Sequence, residues 1–131
     1  EEKNYQLFIE QNHMQNVTIL PFLKRSELFP LMRASSGFIL LSKEDIYGHV
    51  INEALAQGLG VIASDKIVAA HALITPTKNG YIVPLDDNQK IISAIQNLLN
   101  DDCFDYATSV AKQNTYEVSS QIHIALWKEE E

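Results

Sequence analysis

Positive charge is scarce in this chain: ten Lys and Arg stand against seventeen Asp and Glu, a net charge of −7 over 131 residues. Binding nucleic acid by broad phosphate neutralisation needs the opposite balance, so that class is excluded, and an anionic ligand has to be met by a local device. Cysteine is scarcer still. Cys103 stands alone, which excludes an internal disulfide and fits a reducing compartment. Long apolar runs are missing as well. An uncharged, mostly apolar stretch such as Ile67 to Ile74 falls far short of the roughly 20 residues that cross a bilayer. The first residues, Glu1-Glu2-Lys3-Asn4, carry neither the basic segment nor the apolar run of a secretory signal, and a cytoplasmic location is expected. His13, His49, His71 and His123 are scattered, and with Cys103 they lack the clustered spacing of metal ligands. No metal site is expected.

What is present is apolar material enough for one core. With 46% hydrophobic residues in 131, the chain suits a single domain, taken over residues 1–131, and is too short for two ordinary ones. Four short apolar runs read as strands: Val17 to Leu20, Gly37 to Leu41, Gly60 to Ala63 and Tyr81 to Val83. They are continuous rather than alternating, as in parallel strands covered by helices on both faces. Between them lie helical stretches, Ser26 to Arg33 and His49 to Gln57, the second ended by Gly58 at a C′ position. Ile91, Ile92, Ile95, Leu98 and Leu99 recur at helical spacing and are expected in the core. A final helix from Val118 to Trp127 is expected to pack Ile122, Leu126 or Trp127 onto the domain. Tyr5, Phe8, Ile9 and His13 fit one face of a first helix. The pairs Asp86-Asp87 and Asp101-Asp102 each precede an apolar-periodic segment and read as helix N-terminal residues. The class is α/β.

The segment from Leu41 to Gly58 runs strand, loop, helix, and the loop beyond a parallel strand's carboxyl end is where open α/β sheets bind ligands. Gly48 permits close backbone approach, and the N–H groups of Gly48, His49 and Val50 at the helix start suit an anion without any net positive charge. At 100° per residue, Val50, Ile51, Ala54 and Leu55 form an apolar arc with His49 and Glu53 near its rim. A carboxylate at Glu53 cannot pair with phosphate but can accept from sugar or ribose hydroxyls. The alternative on spacing alone is that Asp45 caps the helix, Glu53 is solvated, and His49 pairs weakly with it. A phosphoacceptor receiver domain is disfavoured because its acids follow an early strand. A dinucleotide oxidoreductase is disfavoured because no Gly-x-Gly-x-x-Gly follows a strand; Gly58-Leu59-Gly60 precedes one.

The same segment resembles the retaining glycosyltransferases of GT-B fold, above all their family four group, whose signature is Glu, seven residues, then Glu. Here Asp45 and Glu53 stand with seven residues between them. The frame agrees: Ser42 after the strand, Tyr47-Gly48, the run Glu53-Ala54-Leu55-Ala56, Gly58, the strand Val61-Ile62-Ala63, then Ser64-Asp65. The likeness continues through Asn79-Gly80-Tyr81-Ile82-Val83-Pro84 and reaches back to Asn16-Val17, Pro21-Phe22 and Glu27-Leu28, covering about Val17 to Leu99.

The resemblance implies a Rossmann-like parallel sheet flanked by helices, the C-terminal, donor-binding half of a GT-B enzyme. It assigns Glu53 to the nucleotide ribose, Asp45 and Tyr47 to the donor sugar, and the backbone of Gly48, His49 and Val50 to the diphosphate. The implied reaction moves a hexose from a UDP-sugar or GDP-sugar to a hydroxyl with retained configuration, without cofactor or metal and with the departing diphosphate stabilised by the enzyme. No catalytic residue is assigned. Polysaccharide and glycolipid assembly both fit, and the full enzyme is open to peripheral association with the inner face of a membrane.

Several positions depart from the pattern. Asp45 is shorter than Glu, Ile46 replaces Gly, Gly60 stands where Pro is common, and Lys66-Ile67-Val68-Ala69-Ala70-His71 replaces a Gly-Gly turn. His71 is open to two readings, a donor contact or a packed loop histidine. The family's Arg and Lys for the diphosphate, and its N-terminal acceptor domain, precede the segment matched here; Lys66, Lys43 and Arg25 are not assigned as substitutes. The chain alone is therefore expected to be inactive and to bind donor weakly. With strand order 3-2-1-4-5-6, Val17 to Leu20 is strand three and two strands between it and Gly37 to Leu41 are missing, which favours repacking or a homodimer. The alternative function is a non-catalytic, glycosyltransferase-like nucleotide-binding module.

Overall fold

Residues 2–45, 48–115 and 117–118 are described by a computed structural model of the chain. Their elements are α1 (Glu2–Gln11), α2 (Arg25–Arg33), β1 (Phe38–Leu40), α3 (His49–Ala56), β2 (Val61–Ser64), α4 (Val68–Leu73), β3 (Gly80–Val83), α5 (Asn88–Leu98) and α6 (Phe104–Gln113). The three strands form one parallel sheet in the order β1-β2-β3, with Phe38 beside Val61 and Val61 beside Gly80. Every residue of the central β2 is buried, which explains its uninterrupted apolar run. One face packs Ile51, Ala54 and Leu55 of α3 with Ala70 and Leu73 of α4 and Ala107 and Ala111 of α6. The other packs Ile62 and Val83 against Ala94 and Leu98 of α5 and the thiol of Cys103. The result is the Rossmann-like α/β layering read from the sequence.

The ends of α3 follow from its sequence. Gly58 adopts φ of +83°, and the N–H groups of Gly58 and Leu59 donate to Leu55 O at 2.9 Å and Ala54 O at 3.1 Å, satisfying the last carbonyls as a Schellman motif does. β3 is set by a second device. A Cβ on Gly80 would stand 1.8 Å from Val61 O, so only glycine lets the two strands approach there. Just before it Asn79, fully buried, donates from Nδ2 to Leu73 O at 2.9 Å and accepts the Thr75 N–H at 2.7 Å.

The fold corrects the sequence reading at several places. Val17 to Leu20 forms no strand. The sheet among the described residues has the members β1, β2 and β3; this run pairs with none of them, and Val17 and Leu20 are left about half exposed. The first helix forms as expected, with Tyr5 and Phe8 exposed. In α5 the buried positions are Ala94 and Leu98, whereas Ile92 and Leu99 are exposed, because the helix packs through one narrow stripe. Asp87 caps α5 as expected, its Oδ1 accepting from Lys90 N at 3.0 Å; this bond chiefly holds its carboxyl below the ordinary range. Asp101 does not cap α6: its carboxylate accepts from Tyr81 Oη at 2.6 Å, and the N-cap is Cys103. The expected helix from Val118 to Trp127 lies outside the described residues apart from Val118.

Candidate functional site

Beyond the carboxyl end of β1 the chain turns through Ser42 to Asp45 toward α3. Two contacts to the next strand-loop unit fix this turn. Ser64, at the end of β2, donates its hydroxyl to Ser42 O, and Val68 N–H donates to Asp45 O at 3.3 Å, making a parallel bridge between Asp45 and Ile67. The Asp45 side chain then closes the loop onto the helix start, its Oδ1 accepting the Gly48 N–H at 2.9 Å. Gly48 is the N-cap residue in the left-handed region, with φ of +55°, which glycine reaches without the steric cost other residues meet.

The intrahelical ladder begins with Ile51 and Asn52, both donating to Gly48 O. The N–H groups of His49 and Val50 precede it, as at any helix start, at the end where the dipole favours an anion. Gly48 contributes its carbonyl and its turn, while its own N–H is engaged by Asp45. It is also buried beneath α4: a Cβ at Gly48 would lie 2.4 Å from that of Ala69. The helix that replaces the Gly-Gly turn thus packs directly on the mouth of α3.

Glu53 stands one turn further along α3, with Ile51, Ala54 and Leu55 rooting the helix in the core. Its carboxylate is 24% exposed and pairs with Arg25, Oε1 lying 2.9 Å from Arg25 Nη2. Arg25 begins α2, whose other end leads into β1, so the pair sits toward the carboxyl end of the strand where α3 also starts. Glu53 is thus not simply solvated, as the alternative from spacing had it: it makes this ion pair with Arg25. Arg25 carried no local signal, since it belongs to a different helix and only tertiary packing brings it to Glu53.

Around the loop after β2, His71 Nε2 lies 3.1 Å from Asp65 O, and Asp65 Oδ2 pairs with Lys66 at 3.2 Å. His71 stands exposed on α4 and is tied back to the loop after β2, so it is not a packed loop histidine. A groove of about 800 Å³ opens between α3, α4 and α6, lined by His49, Asn52, Ala69, Leu73, Phe104 and Thr108 among others. Neither Asp45 nor Glu53 lines it. Of the residues singled out from the sequence, then, Asp45 and Gly48 are in direct contact, Glu53 reaches Arg25, and His49 opens onto the groove. Tyr47 and Ile46 lie outside the described residues. Among the described residues no three His, Cys, Asp or Glu side chains cluster as a metal site, and no helix is long and apolar enough to cross a membrane.

A parallel α/β sheet flanked by helices, with a loop running from a strand's carboxyl end into a helix start, is an architecture of the Rossmann type. The family described as Glycosyl transferases group 1 matches residues 1–117. The chain belongs to that family, and it is a glycosyltransferase domain, which points to a nucleotide-sugar donor. No curated protein matches the chain.

Proposed function

We propose that this chain is the donor-binding domain of a retaining GT-B glycosyltransferase of the family four group, one that moves a hexose from UDP or GDP to a hydroxyl acceptor. Glu53 accepts hydrogen bonds from the ribose hydroxyls, Asp45 and Tyr47 meet the transferred sugar, and the backbone at Gly48, His49 and Val50 meets the diphosphate. The observation that carries this reading is the α3 mouth: a glycine-started helix beyond β1, with one carboxylate at its lip and another one turn in. Helix N–H groups bind a diphosphate despite the net charge of −7, and a carboxylate is a suitable acceptor for a diol.

The Gly48 N–H already donates to Asp45, so Gly48 joins the diphosphate only when Asp45 turns to the sugar. That exchange couples sugar recognition to phosphate binding. As bond cleavage proceeds, negative charge grows on the leaving diphosphate, and the oriented amides and positive helix end stabilise it. The acceptor side comes from the N-terminal domain of the same enzyme. We place the chain in the cytoplasm, with peripheral association of the parent at the membrane's inner face, and its open β1 edge suits a homodimer.

Chemical-shift mapping with UDP, GDP and their common sugars tests this. Shifts should centre on residues 45 and 48–53, and Glu53→Ala should weaken the preferred nucleotide by about 1 to 3 kcal/mol, the cost of losing a hydrogen bond to a charged group. Absence of shifts there with every nucleotide would falsify the reading. A second reading, a nucleotide-binding module without catalysis, draws on the shorter Asp45 and on Ala69 packing against Gly48 where a Gly-Gly turn is usual. The complete parent protein distinguishes the two: an enzyme releases nucleoside diphosphate from its donor, and a module binds the donor and leaves it intact.

A further inference from the structure

Arg25 and Glu53 both stand on fixed backbone. The Lys24 N–H donates to Glu27 Oε2 at 3.0 Å and closes the first turn of α2, where Arg25 is the first residue. On the other side, α3 is held by Ile51, Ala54 and Leu55, which are fully buried. The ion pair between them is lopsided, with the Arg25 side chain 77% exposed and that of Glu53 24%. A pair so open on one side adds little to folding. Its consequence falls on the carboxylate.

A glutamate side chain loses rotamer freedom when a ligand fixes it, and one already held by a guanidinium has given up that freedom beforehand. The contact is made through Oε1, which leaves lone pairs on Oε2 for O–H donors. The guanidinium also offsets a negative charge that would otherwise repel a diphosphate bound at the α3 mouth. The geometry points to Arg25 as a positioning residue of the donor site: it holds Glu53 so that the carboxylate selects nucleotides bearing a ribose diol over analogues lacking it. This rests on the proposed role of Glu53, and it adds a residue from a different helix that confers the selectivity.

The test is nuclear magnetic resonance titration of the chain with UDP and GDP, each paired with its 2′,3′-dideoxy counterpart. Wild type should favour the diol-bearing member of the preferred pair by about tenfold, the worth of one charge-assisted hydrogen bond. Arg25→Ala should compress that ratio below about threefold, and Arg25→Lys, which keeps a single-point charge, should fall between. Thermal midpoints should stay together, since the Arg25 side chain is mostly exposed. An unchanged ratio in Arg25→Ala overturns the inference, as does equal weakening of both nucleotides, which is the behaviour of a diffuse charge effect. Loss of the ratio in Glu53→Ala with its retention in Arg25→Ala refutes the role of Arg25 while sparing that of Glu53. If wild type binds none of the four nucleotides, the donor-site reading fails first and the inference falls with it.

Discussion

Asp45 Oδ1 accepts the Gly48 N–H at 2.9 Å, so the first acid of the motif and the glycine of the helix start are joined to each other across the loop. Removing the carboxylate should free that amide. Asp45→Ala is expected to speed hydrogen exchange at Gly48 by roughly fivefold, the equivalent of about 1 kcal/mol for one hydrogen bond. Asp45→Asn, which keeps a carbonyl acceptor, should have a smaller effect. Equal exchange in all three proteins would show that the contact does not hold the loop.

Gly48 is constrained twice, by its φ of +55° and by the 2.4 Å separation a Cβ would have from Ala69. Gly48→Ala should therefore lower stability by more than about 1 kcal/mol, measured by urea denaturation. Adding Ala69→Gly relieves the steric part alone and should recover some of the loss. Full recovery would mean that the left-handed backbone costs nothing.

Asn79 is fully buried and serves both as donor to Leu73 O and as acceptor from Thr75 N. Asn79→Ala leaves both backbone groups without their partner, and a loss of about 2 to 3 kcal/mol is expected in the same measurement. Since the link ties α4 to the start of β3, exchange should accelerate at Thr75 and around Gly80. A change below about 0.5 kcal/mol, the range of an ordinary surface substitution, would refute this.

The hydroxyl of Tyr81 donates to Asp101 Oδ2 at 2.6 Å, and that bond, with burial and the nearby negative charge, pushes its pKa up to about 12 from 10.0. A group whose pKa is raised on folding contributes stability that is whole below the unfolded value and is lost as pH climbs through the folded one. Wild type should accordingly lose this contribution between about pH 10 and 12. Tyr81→Phe should be less stable at neutral pH and should lack that component of the alkaline decline. Parallel pH curves for the two proteins would contradict the linkage.

Much of the framework was legible because it is written locally. Continuous apolar runs marked β1, β2 and β3, and Gly58 marked the end of α3, since a C′ residue with positive φ favours glycine in any context. Asp87 was readable as a cap because an N-cap carboxylate accepts from an amide only three residues on. Asp101 was not. Its carboxylate had two partners within reach, the amides of the following helix and a tyrosine on β3, and the choice between them depends on how α6 lies against the sheet. Val17 to Leu20 had strand composition and no strand, because β pairing needs a second chain segment that composition does not supply.

The sequence by itself determined the α/β class, the helix mouth at Gly48 and the pair of acids around it, all of which depend on neighbours within a few residues. Tertiary structure alone decided that Asp45 closes on Gly48, that Ala69 covers it, and that Arg25 grips Glu53. Those contacts join three different helices across one end of the sheet, and no periodicity along a single segment encodes where another segment's side chain will arrive.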